Sequence, residues 1–138
     1  MKIARFCEIP RSDDDGGSLY NLQHQSAVPF EIKRVYYIHG TQPGVERGGH
    51  AHIDLSQLAV CVKGSCKFRL DNGAEREEVL LDSPSKGLLI DSMTWREMFD
   101  FSPDCVLVVL ASELYEESDY IRDYDRFMTI VHSGKTIA

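Results

Sequence analysis

Two histidines, His50 and His52, flank a single alanine just ahead of the apolar run Leu58 to Val62. Side chains of an extended chain alternate between faces, so both imidazoles share one face and Ala51 points away. Two such imidazoles can ligate a metal ion or transfer protons. A pair of solvated histidines at a loop end would have the same spacing. Other polar groups stand nearby in sequence. Arg34, Arg47 and Lys33 could meet an anion, since the chain has no Gly-rich phosphate loop or Walker motif. Tyr36 and Tyr37 could stack on a base or sugar, but alternation turns one of them away. Tyr37, Arg47 or Arg96 could donate to a developing oxyanion. Glu97 could fix a histidine tautomer or sit in a salt bridge. Trp95 suits either the core or a ligand platform.

These residues must be positioned by short strands. Phe30 to Ile38 reads as a strand with Arg34, Tyr36 and Ile38 on one face and Val35 and Tyr37 on the other. Leu58–Val62, Lys63-Gly64 and Ser65–Leu70 read as a hairpin, and Asp71-Asn72-Gly73 as a turn. EEVLL, GLLI and DCVLVVLA continue a series punctuated by Gly, Pro, Asp and Ser, which predicts an all-β sandwich or barrel. DDDGGS, from Asp13 to Ser18, reads as a solvated turn. Only Glu113 to Met128 looks helical, with Tyr120, Tyr124 and Phe127 at i, i+4 and i+7 ready to dock on the barrel.

The composition sets outer limits. The 138 residues suit one domain, 1–138, and 43% apolar content supports a real core. A net charge of −7 repels phosphate backbones, so no nucleic-acid partner is expected. The N-terminus, MKIARFCEIP, has no apolar stretch long enough for a signal peptide. No run approaches the ~18 apolar residues of a membrane span. A soluble, cytoplasmic protein is expected. Cys7, Cys61, Cys66 and Cys105 form no C-x-x-C pair and read as reduced thiols, with Cys61 and Cys105 in apolar runs.

The spacing Gly44, five residues, His50-x-His52, four residues, Gln57, six residues, Gly64 resembles the first motif of the cupin superfamily, with Gln57 where a Glu is usual. A second motif would begin at Gly87, with Met93 in place of Pro and Met98 in place of His. Of four usual metal ligands, two remain as histidines. Two histidines alone hold a divalent ion weakly, so a cupin that has lost its metal is expected. The histidines would then serve as acid–base groups titrating near ~6.5.

A closer resemblance covers most of the chain. Ile32–Ile38, RGGHAH, VCVKGSCKFRLDNG, LDSPSKGLLI, MTWREMFDFSPDCVLVVLASELY and ESDYIRDYDRF resemble the sugar 3,4-ketoisomerases in order and content. The segment before about Pro29 resembles them least. The resemblance implies a cupin-type jelly-roll β-barrel with a short C-terminal helix. It implies isomerisation of dTDP-4-keto-6-deoxyglucose to a 3-keto-6-deoxyhexose through a 3,4-enediol, in making unusual deoxysugars for lipopolysaccharide or other glycans. It implies no metal, no organic cofactor, and a homodimer with exchanged N-terminal strands. His52 is expected as the carbon base and His50 as the oxygen relay, with Tyr37 assisting. Arg34, Tyr36, Arg47, Gln57, Arg96 and Glu97 are expected to bind substrate. Arg96 leans toward the gluco product, while Gly16, in the early turn, matches neither product class, so the configuration at C4 stays open. A non-catalytic sugar-nucleotide-binding cupin is the competing reading, and a metal-dependent cupin enzyme a further one.

Overall fold

The computed structural model describes residues 3–137, with side chains described up to residue 133. Among the described residues twelve strands, a 3-10 turn and one α-helix follow in order: β1 (Arg5–Glu8), β2 (Arg11–Asp14), β3 (Gly17–Tyr20), β4 (Arg34–Ile38), β5 (Arg47–His52), β6 (Gln57–Lys63), β7 (Cys66–Asp71), β8 (Arg76–Leu81), β9 (Lys86–Ile90), β10 (Trp95–Phe99), β11 (Val106–Ala111), the 3-10 turn (Glu117–Asp119), β12 (Tyr120–Ile121) and α1 (Tyr124–Ile137). Two five-stranded sheets carry the fold, ordered β1-β9-β6-β11-β4 and β12-β5-β10-β7-β8, and every pairing within them is antiparallel. This is a jelly-roll-like sandwich. The β2–β3 hairpin forms a separate two-stranded sheet.

The main core lies between the sheets. Ala59, Leu88, Ile90, Leu107 and Val109 face Phe68, Leu70, Leu81 and Met98. β6 is buried from Gln57 to Cys61 because the segment around Val28, Phe30 and Ile32 covers its other face. That double burial is why LAVCV reads as a continuous apolar run rather than an alternating one. A second core sits outside the other sheet, where Ala51, Trp95 and Ile121 pack on Phe127 of α1.

The alternation expected for Arg34–Ile38 is observed: Arg34, Tyr36 and Ile38 are half-buried, Val35 and Tyr37 exposed. The Asp71-Asn72-Gly73 turn closes the β7–β8 hairpin. The hairpin expected at Lys63-Gly64 is not one. β6 pairs with β9 and β11, whereas β7 pairs with β8 and β10, so the chain crosses from one sheet to the other at Gly64. Gly64 has φ +72°, and a Cβ there would come within 2.9 Å of the Cys105 backbone. The helix also begins later than expected. Asp123 accepts from the backbone N–H groups of Asp125 and Arg126, a cap that starts α1 at Tyr124. Tyr124 and Phe127 dock on Trp95 as expected, with centroids 5.3 and 5.8 Å from the indole. Tyr120 does not join them, because it lies on β12 paired to His52.

Candidate active site

β5 carries the two histidines to the inner face of its sheet, and Ala51 points out into the helix-covered core. His52 is completely buried and His50 half-buried. Their rings meet edge to face with centroids 4.8 Å apart. The ring of Tyr120 packs against both, at 4.9 Å from His50 and 4.4 Å from His52.

His52 is held by Asp119, whose Oδ2 lies 3.1 Å from Nδ1. The carboxylate is itself fixed, accepting from the backbone N–H of Asp54 at 2.8 Å and of Leu55 at 3.3 Å. The Met93 N–H donates to the His52 carbonyl at 2.7 Å with Met93 at φ +57°. A proline could supply neither that donor nor that φ, which explains the departure from the second motif. The Asp119 contact assigns the Nδ1–H tautomer to His52 and leaves Nε2 with its lone pair free. His52 Nε2 is buried without a hydrogen-bond partner, and so is His50 Nδ1.

Arg96 stands opposite His50 in the β5–β10 ladder and is 1% exposed. It donates to the Gln57 Oε1 at 2.6 Å and to the Thr94 carbonyl at 2.9 Å. Gln57 in turn donates from Nε2 to the Tyr36 hydroxyl at 3.0 Å. The Gln57 amide thus accepts from Arg96 through its oxygen and donates to Tyr36 through its nitrogen, linking the two side chains. Burial lowers the Arg96 pKa to about 10, which leaves it charged at neutral pH. Burial first, and the Arg96 charge second, push His50 down to about 3 and His52 to about 4; Asp119 pulls His52 partly back up. The expectation of histidines titrating near ~6.5 is thus corrected: both are neutral bases at neutral pH.

The remaining expected residues divide. Tyr36 and Arg34 face inward. The Arg34 guanidinium lies over Tyr36 at 5.2 Å and over Tyr115 at 5.6 Å, and its Nε and Nη2 are buried without partners. Unpaired buried donors of that kind suit an anion. Arg47 is exposed at the rim and pairs in register with Met98. A bulge between the Arg96 and Glu97 pairings absorbs Gly49, so Arg47 falls on the inner face that strict alternation would deny it.

Tyr37 is turned away. It is 66% exposed on the outer face, beside His39 and not the pair. Glu97 also leaves the site: alternation places it on the helix side with Trp95, where it accepts from Arg69 at 2.6 Å and from the indole N–H at 3.3 Å. Lys33 pairs with Glu113 at the surface. Trp95 is core. Asp119, Tyr120 and Tyr115 were missed. Their segment carries a helical period, and the acid-rich ESDY stretch gave no sign of a two-residue strand.

Chemically, the arrangement is a neutral base with an oriented tautomer, a second neutral imidazole beside it, and a buried cation where negative charge would develop. This defines an acid–base site in a jelly-roll sandwich. The chain matches the model of the FdtA family, described as WxcM-like, C-terminal, over residues 2–132, and it belongs to that family. It is 51% identical over 126 residues to the TDP-4-oxo-6-deoxy-alpha-D-glucose-3,4-oxoisomerase of Aneurinibacillus thermoaerophilus, covering 91% of this chain and 88% of the relative. Among solved structures it is similar to QdtA, a sugar 3,4-ketoisomerase from Thermoanaerobacterium thermosaccharolyticum in complex with TDP, at 42% identity and TM-score 0.91, covering 94% of this chain and 95% of that one. It is also similar to WlaRB, a TDP-quinovose 3,4-ketoisomerase from Campylobacter jejuni, at 43% identity and TM-score 0.88, covering 94% and 99%.

Proposed function

We propose that the chain is a nucleotide-sugar 3,4-ketoisomerase that converts dTDP-4-keto-6-deoxyglucose to a dTDP-3-keto-6-deoxyhexose. The observation that carries the reading is the buried, unpartnered Nε2 of His52, whose opposite nitrogen is fixed by Asp119. The C4 carbonyl acidifies the hydrogen on C3. His52 removes that proton, giving a 3,4-enediol, and a proton returns to C4. Over the same steps O3 loses a proton and O4 gains one, so the reaction balances without an external oxidant or reductant. His50 relays the oxygen protons, and the fixed charge of Arg96 stabilises the enediolate. Tyr36 and Tyr120 line the site in the place Tyr37 was expected to fill. Arg34 and Arg47 meet the diphosphate.

The reading needs no metal. Gln57 offers its oxygen to Arg96, and that buried guanidinium beside the histidines would repel a divalent cation.

A homodimer is part of the proposal. In this chain β1 pairs with β9 of its own sheet, which leaves the β2–β3 hairpin as the segment to exchange. The edge strand β4 presents Val35 and Tyr37, 57% and 66% exposed, as an apolar face for a second copy. Among the described residues no helix is long and apolar enough to cross a membrane. Reduced thiols suit the cytoplasm, where we place the enzyme.

Incubation with dTDP-4-keto-6-deoxyglucose in D2O tests the function. An isomerase washes deuterium into C3 or C4, and NMR of the product reads the configuration at C4. Binding without exchange would overturn the reading in favour of a non-catalytic sugar-nucleotide-binding protein.

A further inference from the structure

Three of the four cysteines converge away from the histidine site. Cys61 ends the buried part of β6, Cys66 opens β7, and Cys105 immediately precedes β11. All three are buried, at 0%, 0% and 1% exposure. Their sulfurs lie within 4.8 Å of one another, and Cys61 and Cys105 are 3.7 Å apart. A tetrahedral zinc site with bonds of about 2.3 Å has sulfurs about 3.8 Å apart. The thiols therefore already stand near the edge length of a metal–thiolate tetrahedron. The Lys63 carbonyl accepts from the Cys61 thiol at 3.1 Å, a bond the ion would replace on taking the thiol proton's place.

The surroundings hold the cluster in shape close beneath the surface. Two short loops cap it, stitched by Ser65 N–H to Ser102 Oγ at 2.9 Å, Ser102 N–H to the Ser65 carbonyl at 2.8 Å, and Ser102 Oγ to Asp104 at 2.7 Å. Lys63 at the end of β6, and Pro103 and Asp104 on the second loop, are exposed, so the thiols lie one loop beneath the surface. Contact among the thiols divides their acidities: Cys66 pulls Cys61 down to about 7, and the same contact pushes Cys66 up.

We infer that Cys61, Cys66 and Cys105 form a trithiolate site for a thiophilic d10 cation of the zinc class. The ion replaces the thiol protons, so binding releases up to three protons and involves no electron transfer. The site ties the two sheets together, because Cys61 lies in one, with Cys105 at the entry to its strand β11, and Cys66 lies in the other. It is structural. Gln57 of the histidine site lies four residues back along β6, about 13 Å away at ~3.3 Å per residue.

The test uses the full-length reduced protein, stripped with a chelator and titrated with Cd²⁺ under anaerobic conditions. The expected result is an ultraviolet thiolate-to-cadmium band that saturates at about one ion per chain with the intensity of three Cd–S bonds. Zn²⁺ at about a hundredfold excess over its Kd should raise the melting temperature by about 5 °C or more. Cys61→Ser and Cys105→Ser should lose both responses, and Cys7→Ser should keep both. Ketoisomerase turnover, the readout of the proposed function, should not change with the ion. Absence of the band in the wild-type protein, or intensity for a single Cd–S bond, would overturn the site. So would a Cys61–Cys105 disulfide in the chelator-treated reduced protein. The wild-type titration decides even if a serine variant fails to fold.

Discussion

At the scale of single residues, the site separates a base from its orienting partner. Asn in place of His52 keeps size and polarity but removes the basic nitrogen, so His52→Asn should reduce kcat by about 10²–10⁴. His50→Asn should slow turnover strongly and leave a remnant, because Tyr36, Tyr120 or water can relay oxygen protons. Calorimetry should find dTDP affinity intact in both variants; a parallel loss of affinity would make the histidines binding or folding residues. In the proposed mechanism Asp119 acts through His52, as a positioning residue. Its carboxylate raises the His52 pKa against burial and Arg96. Asp119→Asn should therefore lower kcat by about 10–100-fold. It should also move the acid limb of kcat/KM below the wild-type limb, which is expected near pH 4. A wild-type limb near 6.5 would show that burial and Arg96 do not depress the pair.

At the scale of elements, the bulge in β5 is the device that matters. Gly48 sits at φ +86°, and a Cβ there would lie 3.0 Å from the Arg96 carbonyl; Gly49 sits at φ +75° with nothing within 4 Å. An alanine at either place meets backbone strain of about 1–2 kcal/mol, but only Gly48→Ala also presses on the strand that carries Arg96. Gly48→Ala should raise KM and lower kcat while the fold survives by circular dichroism. Gly49→Ala should lose stability with a smaller loss of activity. Equal kinetics in the two variants would contradict the role given to the bulge.

The whole molecule adds acid sensitivity and assembly. A histidine buried neutral binds its proton more tightly when unfolded, so each contributes stability that is lost as pH falls below ~6.5 toward its folded pKa. With folded values of about 3 for His50 and about 4 for His52, the loss runs from about pH 6.5 down to pH 4 for His52 and to pH 3 for His50. It amounts to a few kcal/mol for the pair taken together. Urea midpoints across that range should fall for the wild type and more shallowly for His52→Asn. For assembly, light scattering at micromolar concentration should give the mass of two 15.6 kDa chains. A polar Val35→Glu/Tyr37→Glu double variant should shift it toward one. A monomeric wild type would remove the dimer.

What the sequence determined by itself was what lies within a few residues along the chain. Alternation put Arg34 and Tyr36 on one face, and His50 and His52 together on another, because the strand period is a local property. Asn72-Gly73 marked its turn through backbone chemistry that no distant residue changes. Gln57 and Met98 at the cupin positions are read from spacing alone and set the expectation of a site without a metal. The tertiary structure decided everything that depends on register and burial. It crossed the chain between sheets at Gly64, bulged β5 to bring Arg47 inward, and turned Tyr37 and Glu97 away from the histidines. It laid Tyr120 on β12 instead of a helix, which set Asp119 against a histidine 67 residues earlier. The low pKa values of the pair arise from burial and from Arg96 across the ladder, and no spacing along the chain encodes either. Local periodicity can say which way a side chain points from its own strand, but only packing says what it meets there.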